Sequence, residues 1–143
     1  MKNEKMLVGD YPLGEKHPDL IVSKNGIKLT ELTLENISKG TVTIEDLQIS
    51  SSTLNHQAQI SHDSGRIPLG NNLERAAEMV SIPNDLIMEI YEKLRPGRSK
   101  NKNELLSYAL LLRDKYDARI LSEFIVEAAE IYEKRGLFKR SRY

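Results

Sequence analysis

Residues 103–116 read NELLSYALLLRDKY, and this stretch decides the fold class. As a helix, it carries Leu105, Leu106, Leu110, Leu111 and Leu112 around most of its circumference. A helix that is apolar on all sides must be covered on all sides. In a chain of 143 residues the protein's own core covers about one face of such a helix, so the remaining apolar surface predicts a partner.

Amphipathic helices are predicted on both sides of this stretch because apolar residues recur there at three- and four-residue steps. One helix is capped by Ser51 or Ser52 and ends near Gly65, one runs from about Leu69 after Pro68, one is opened by Pro83 and closed by Pro96-Gly97, and one runs from about Asp117 to Arg135. The sequence therefore predicts an all-α fold, an open helical bundle of about five helices with an extended N-terminal arm.

The first fifty residues follow a different pattern. Prolines and glycines between residues 11 and 26 predict an extended, turn-rich arm that buries little against itself. Two short helical turns follow, one over residues 33–37 that stops at Gly40, and one over residues 44–48 opened by a capping box of Thr43 and Asp46. We predict an arm at residues 1–50, a helical domain at 51–136 and a basic tail at 137–143.

Composition narrows the possible functions. The 21 Lys and Arg balance the 21 Asp and Glu, so no overall field draws the chain to nucleic acid or to an anionic membrane. There is no cysteine, which removes disulfides, thiolate metal sites and thiol nucleophiles. No apolar run approaches the roughly 20 residues of a membrane span, and the N-terminus does not resemble a signal peptide. We expect a cytoplasmic protein.

The sequence offers no pattern typical of an active site. His56 and His62 are six residues apart, which does not match the i, i+4 spacing of a helical metal pair. Glu123, Glu127 and Glu130 lie opposite an apolar stripe and indicate a solvated face. The glycines at 65, 70 and 97 are isolated, and we assign them to helix ends. We therefore predict no catalytic, cofactor-binding or metal-binding residues.

A basic segment leaves one alternative open. Residues 93–102 contain Lys93, Arg95, Arg98, Lys100 and Lys102 without an acidic residue. Such a cluster is able to contact phosphate, which would suit a stand-alone helical adaptor or a nucleic-acid-binding module. The absence of interleaved aromatic residues favours the other interpretation, in which these cations complement a helix C-terminus and solvate a loop.

Short motifs in a fixed order connect the chain to a known family. They are Asp10-Tyr11-Pro12-Leu13, His17-Pro18, Thr33-Leu34-Glu35, Leu47-Gln48-Ile49-Ser50, Thr53-Leu54, Gln57-Ala58-Gln59-Ile60, Arg75-Ala76-Ala77-Glu78, Ile82-Pro83, Ile90-Tyr91, Leu94-Arg95-Pro96, Arg98-Ser99, Glu104-Leu105-Leu106, and Phe124 with Glu127-Ala128-Ala129. In this order the chain resembles the small subunit of adenosylcobalamin-dependent diol and glycerol dehydratases. It departs from that family at Leu73 and Gly97, where aromatic residues are usual, and in a slightly longer loop at 100–103.

The resemblance implies a lyase assembly of two large, two medium and two small subunits. Its reaction converts a vicinal diol to an aldehyde and water by a radical route. It also implies that adenosylcobalamin is bound by the other subunits and that this chain carries no catalytic residue. The partners are then the large and medium subunits, with no nucleic acid and no membrane, in the cytoplasm or within a bacterial microcompartment.

Three groups of residues are expected to contact the large subunit, which this chain would brace. They are Tyr11, Pro12 and Leu13 in the arm, Arg95, Pro96 and Arg98 at a corner, and Leu110 and Leu111 on the apolar helix. The resemblance leaves propane-1,2-diol and glycerol open as substrates. The short segment before Asp10 favours the glycerol form, because some diol dehydratase small subunits are extended there.

Overall fold

The structure is a computed structural model, and it describes residues 5–139. The described part of the chain contains seven α-helices: α1 Leu13–Lys16, α2 Leu34–Ser38, α3 Ser51–Asp63, α4 Ile67–Met79, α5 Asn84–Lys93, α6 Lys102–Tyr116 and α7 Arg119–Arg135. It also contains short 3-10 helices at Val8–Asp10, Pro18–Leu20, Leu29–Glu31 and Ile44–Leu47. Within these residues no strand forms, and one isolated bridge joins Val22 to Lys28. The predicted all-α fold is confirmed.

The chain divides into two compact units, Met1–Val80 and Ser81–Tyr143. The predicted division into an arm at 1–50, a helical domain at 51–136 and a basic tail at 137–143 stays a prediction, and its two ends reach outside the described residues.

In the first unit, α3 packs against α4. The Ser50 hydroxyl accepts a hydrogen bond from the Thr53 N–H at 3.2 Å, so Ser50 caps α3, and the predicted caps Ser51 and Ser52 lie inside the helix. Helix α3 ends before Gly65, which has a φ of +77°. Pro68 lies in the first turn of α4, where its missing N–H costs nothing. Apolar side chains from both helices are buried, including Leu54, Ala58, Ile60 and Ala77.

Residues 11–26 were predicted to be extended, but part of this range forms short helices. Pro12 immediately precedes α1, and Pro18 is the first residue of a 3-10 helix. Proline has a fixed φ near −65° and suits the start of a helical turn as well as an extended chain, which explains the difference. The turn predicted for 33–37 is α2, and the one predicted for 44–48 is the 3-10 helix Ile44–Leu47.

In the second unit, α6 packs against α7. Leu105, Leu112 and Ile125 are fully buried. The Ser122 hydroxyl donates to the buried Ala109 carbonyl at 2.7 Å, which satisfies a polar group inside this packing. Gly136, with a φ of +64°, ends α7 as predicted.

Candidate subunit-docking surfaces

The structure separates the three arm residues that the sequence assigned to one contact. Tyr11 is 68% exposed, Pro12 is half-buried, and Leu13 is only 5% exposed. Leu13 therefore packs inside this chain, and only Tyr11 presents a large apolar surface to a partner. The turn that carries Tyr11 is held by a hydrogen bond between His17 Nε2 and Asp10 Oδ1 at 2.7 Å.

The corner that contains Arg95, Pro96 and Arg98 is exposed, and both of its arginines share one internal partner. Arg95 Nη1 lies 2.9 Å from Glu92 Oε2, and Arg98 Nε lies 3.1 Å from Glu92 Oε1. The hydrogen bond from Arg95 lowers the pKa of Glu92 below its usual value. Because Arg95 and Arg98 already pair with Glu92, a partner that docks here would not need to supply a carboxylate.

Leu110 and Leu111 lie on the part of α6 that its own unit leaves uncovered. They are 50% and 37% exposed, whereas Leu105 and Leu112 on the same helix are 0% exposed. Isolated exposed leucines are common, but two adjacent ones on a helix that is also buried on its inner face indicate unfinished packing.

Sequence reasoning missed the segment with the most exposed apolar side chains. We use the name N-terminal apolar face for the exposed apolar side chains of residues 29–49, which are Leu29, Leu34, Ile37, Ile44, Leu47 and Ile49. Leu34 is 84% exposed and Ile44 is 80% exposed. The available signal was the shortness of the two predicted turns, because a helix of one turn has no room to bury its own apolar residues.

A buried carboxylate fixes the shape of this segment. Asp46 is 4% exposed and accepts hydrogen bonds from Ser23 Oγ at 2.7 Å, Asn25 Nδ2 at 2.8 Å and the Thr43 N–H at 2.9 Å. The bond from the Thr43 backbone, followed by that from Ser23, lowers the pKa of Asp46 to about 2. The carboxylate is therefore ionised and ties the turn at Ile44–Leu47 to residues 23–25.

The basic segment 93–102 is largely paired within the chain. Besides Arg95 and Arg98 on Glu92, Lys93 Nζ lies 2.6 Å from Glu104 Oε1, and Lys102 Nζ lies 2.7 Å from Glu133 Oε2. Four of its five cations thus already contact carboxylates, which opposes the phosphate contacts that the nucleic-acid alternative requires.

The described residues offer little that would form an active site within this chain alone. A groove of about 290 Å³ on α6 and α7 is lined by both arginines and glutamates, including Arg113, Arg119 and Glu127. Residues 5–139 hold no group of three His, Cys, Asp or Glu side chains placed to bind a metal ion. Nor does any helix in this range have the length and apolar character to cross a bilayer.

Several exposed apolar side chains on the helical fold of residues 5–139 favour association with another protein chain. The family of dehydratase small subunits matches residues 6–139, and the chain belongs to that family. It is 44% identical over 132 residues to the propanediol dehydratase small subunit of Citrobacter freundii and 45% identical over 132 residues to that of Salmonella typhimurium. Each alignment covers 92% of this chain and 76% of the relative.

Family membership decides between the two predicted functions. The chain is the small subunit of a dehydratase, and other dehydratase subunits are its partners. The alternative, a stand-alone adaptor or nucleic-acid-binding module that uses residues 93–102, is wrong, and the internal ion pairs of that segment give the physical reason.

Proposed function

We propose that this chain is the small subunit of a dehydratase that acts on propane-1,2-diol, and that it braces the large catalytic subunit. The relatives from Citrobacter freundii and Salmonella typhimurium both carry the name of propanediol dehydratase, which favours this substrate over glycerol. The proposed reaction removes water from the vicinal diol and gives an aldehyde. The proposed holoenzyme contains two copies each of large, medium and small subunits, in the cytoplasm, free or enclosed in a bacterial microcompartment.

Adenosylcobalamin, which this proposal assigns to the holoenzyme, is larger than the groove described on this chain. The groove on α6 and α7 has a volume of about 290 Å³, the lower end of sites for drug-sized ligands, and a corrinoid is much larger. The cofactor is therefore assigned to the other subunits, where it would supply radical chemistry. The residues of this chain would contribute packing and orientation only.

Uncovered apolar surface is the observation that supports a bracing role. Leu110 and Leu111 leave half and more than a third of their surfaces exposed on a helix whose other face is fully buried. Covering them with the large subunit would stabilise the assembled state by mass action, because the small subunit would bind the folded large subunit and not its unfolded chain.

Co-purification with the large and medium subunits of the same organism tests this proposal. Tagged wild-type chain should recover all three subunits together with cobalamin-dependent aldehyde formation from propane-1,2-diol. Leu110→Glu and Leu111→Glu should reduce recovery of the complex and leave normal substrate affinity in the complex that survives. The conservative Leu110→Met keeps apolar volume and serves as the matched control.

Two results would contradict the bracing role. One is a glutamate variant that assembles fully but binds substrate more weakly, since this would give the small subunit a direct part in substrate binding. The other is full stability and activity of the large and medium subunits without this chain. Higher activity with glycerol than with propane-1,2-diol would contradict only the choice of substrate.

A further inference from the structure

We propose that the N-terminal apolar face is a docking surface for the large dehydratase subunit. The inference rests on the proposed function, because that function supplies the partner. The observation behind it is independent of Leu110 and Leu111, which support the proposed function. Leu34 at 84% and Ile44 at 80% exposure are the two most exposed large apolar side chains in the described residues. Neither was among the residues that the sequence assigned to an interface.

The area of this face is suited to part of a stable interface. A buried aliphatic side chain removes roughly 60–120 Å² from water, so the six exposed fractions together offer roughly 200–400 Å². A standard interface buries about 800 Å² on each partner. One segment of 21 residues, from Leu29 to Ile49, would thus supply a quarter to a half of one side.

The face is held in shape before any partner arrives. Thr41 and Val42 donate their N–H groups to the Asn36 carbonyl at 3.0 and 3.3 Å, which folds the chain back after α2. Val42 is buried, and Asp46 fixes the following turn through Ser23. A preorganised surface loses less conformational entropy on binding than a flexible one, so its apolar area contributes more to affinity.

The charges around the face favour an apolar protein surface as the partner. Glu35 is paired with Lys39, the residue that follows α2, and Asp46 points inward onto Ser23 and Asn25. These two carboxylates therefore do not require a cationic partner, and the exposed Glu45 beside Ile44 would lie in the polar rim of the contact. An interface core with few unpaired charges is typical of contacts between permanent subunits.

Two substitutions remove the apolar surface without opposing the local fold. Leu34 is the first residue of α2 after the Thr33 cap, and an aspartate in a first helical turn interacts favourably with the helix dipole. Ile44 holds the equivalent position after Thr43, where a neutral glutamine avoids a further charge beside Asp46. Leu34→Asp and Ile44→Gln should therefore leave the fold intact.

The matched control lies outside the face. Leu69 is 44% exposed in the first turn of α4, so Leu69→Asp introduces the same charge at the same kind of helix position. Labelled variants are titrated into the complex of large and medium subunits. We expect the Kd to rise roughly tenfold or more for each substitution on the face and to change less than about twofold for Leu69→Asp.

Each other outcome overturns the inference. Unchanged Kd values for Leu34→Asp and Ile44→Gln would exclude the face from the interface, and equal losses in Leu69→Asp would mean that the effect is not specific to it. A lower unfolding midpoint of the isolated Leu34→Asp chain would place Leu34 in the chain's own core. Self-association of the wild type that Leu34→Asp abolishes would identify a second copy as the partner. If the wild type binds no dehydratase subunit, the proposed function itself fails.

Discussion

Gly70 allows α3 and α4 to approach each other, and replacing it provides a sensitive test of their packing. The ring of His62 on α3 lies directly against Gly70 on α4. A Cβ at residue 70 would be 2.5 Å from Cε1, 2.6 Å from Nε2 and 2.7 Å from Nδ1 of that ring. These distances are far below van der Waals contact, so Gly70→Ala forces the ring to move.

The expected cost follows from what the ring would lose. Gly→Ala inside a helix normally stabilises a protein by about 0.5–1 kcal/mol. Displacing His62 breaks its 3.2 Å contact with Glu74 Oε1, worth about 0.5–1.5 kcal/mol, and overpacking adds about 1–3 kcal/mol. We expect Gly70→Ala to lower the free energy of unfolding by about 0.5–4 kcal/mol.

A double-mutant cycle isolates the overlap with His62. In a His62→Ala background the ring is gone, so Gly70→Ala should stabilise the chain by about 0.5–1 kcal/mol. Gly14→Ala is the control, because a Cβ there meets Ile21 and Leu29 at ordinary distances of 3.7 and 3.8 Å. Urea unfolding followed by circular dichroism measures all four variants. Stabilisation by Gly70→Ala in the wild-type background would refute the reasoning.

Two pH-dependent predictions follow from buried or partly buried acids. Hydrogen bonds from the Thr43 backbone and Ser23 lower the pKa of Asp46 from 3.8 to about 2, so its contribution to stability is complete above about pH 4 and is lost as the pH falls toward 2. The unfolding midpoint of the wild type should therefore drop across this range more steeply than that of Asp46→Asn, and parallel curves would contradict the assignment. Burial and a hydrogen bond to Glu89 raise the pKa of Tyr108 from 10.0 to about 12, so its contribution is lost as the pH rises between these values. Titration of tyrosinate absorbance should show one late-titrating tyrosine that Tyr108→Phe removes, and an unchanged curve in that variant would exclude Tyr108.

The helical architecture could be predicted from the sequence because its signals are local. Apolar residues at three- and four-residue steps located α3 to α7, and proline and glycine marked their ends. The same local rules were ambiguous for residues 11–26. Pro12 and Pro18 are compatible with an extended chain and with the start of a short helix, and only the folded structure distinguishes these.

The surfaces were harder to predict because exposure depends on contacts between distant residues. Leu110 and Leu111 stood out because α6 has more apolar residues than one buried face needs. Leu34 and Ile44 could not be recognised in this way, since their exposure depends on the chain reversal at Asn36 and on the hydrogen bond between Asp46 and Ser23. Gly70 was assigned to a helix end for the same reason. Its role is to make room for His62, and no local pattern encodes that contact.

The two sets of candidate docking residues make separate contributions that can be combined experimentally. Leu34 and Ile44 belong to the first unit, and Leu110 and Leu111 belong to the second. If both sets contact the large subunit without sharing a partner side chain, their losses of binding free energy add and their effects on Kd multiply. A single substitution then weakens assembly by a limited factor, because the other unit keeps its contact. A combined effect no larger than that of one substitution would instead mean that only one unit carries the interface.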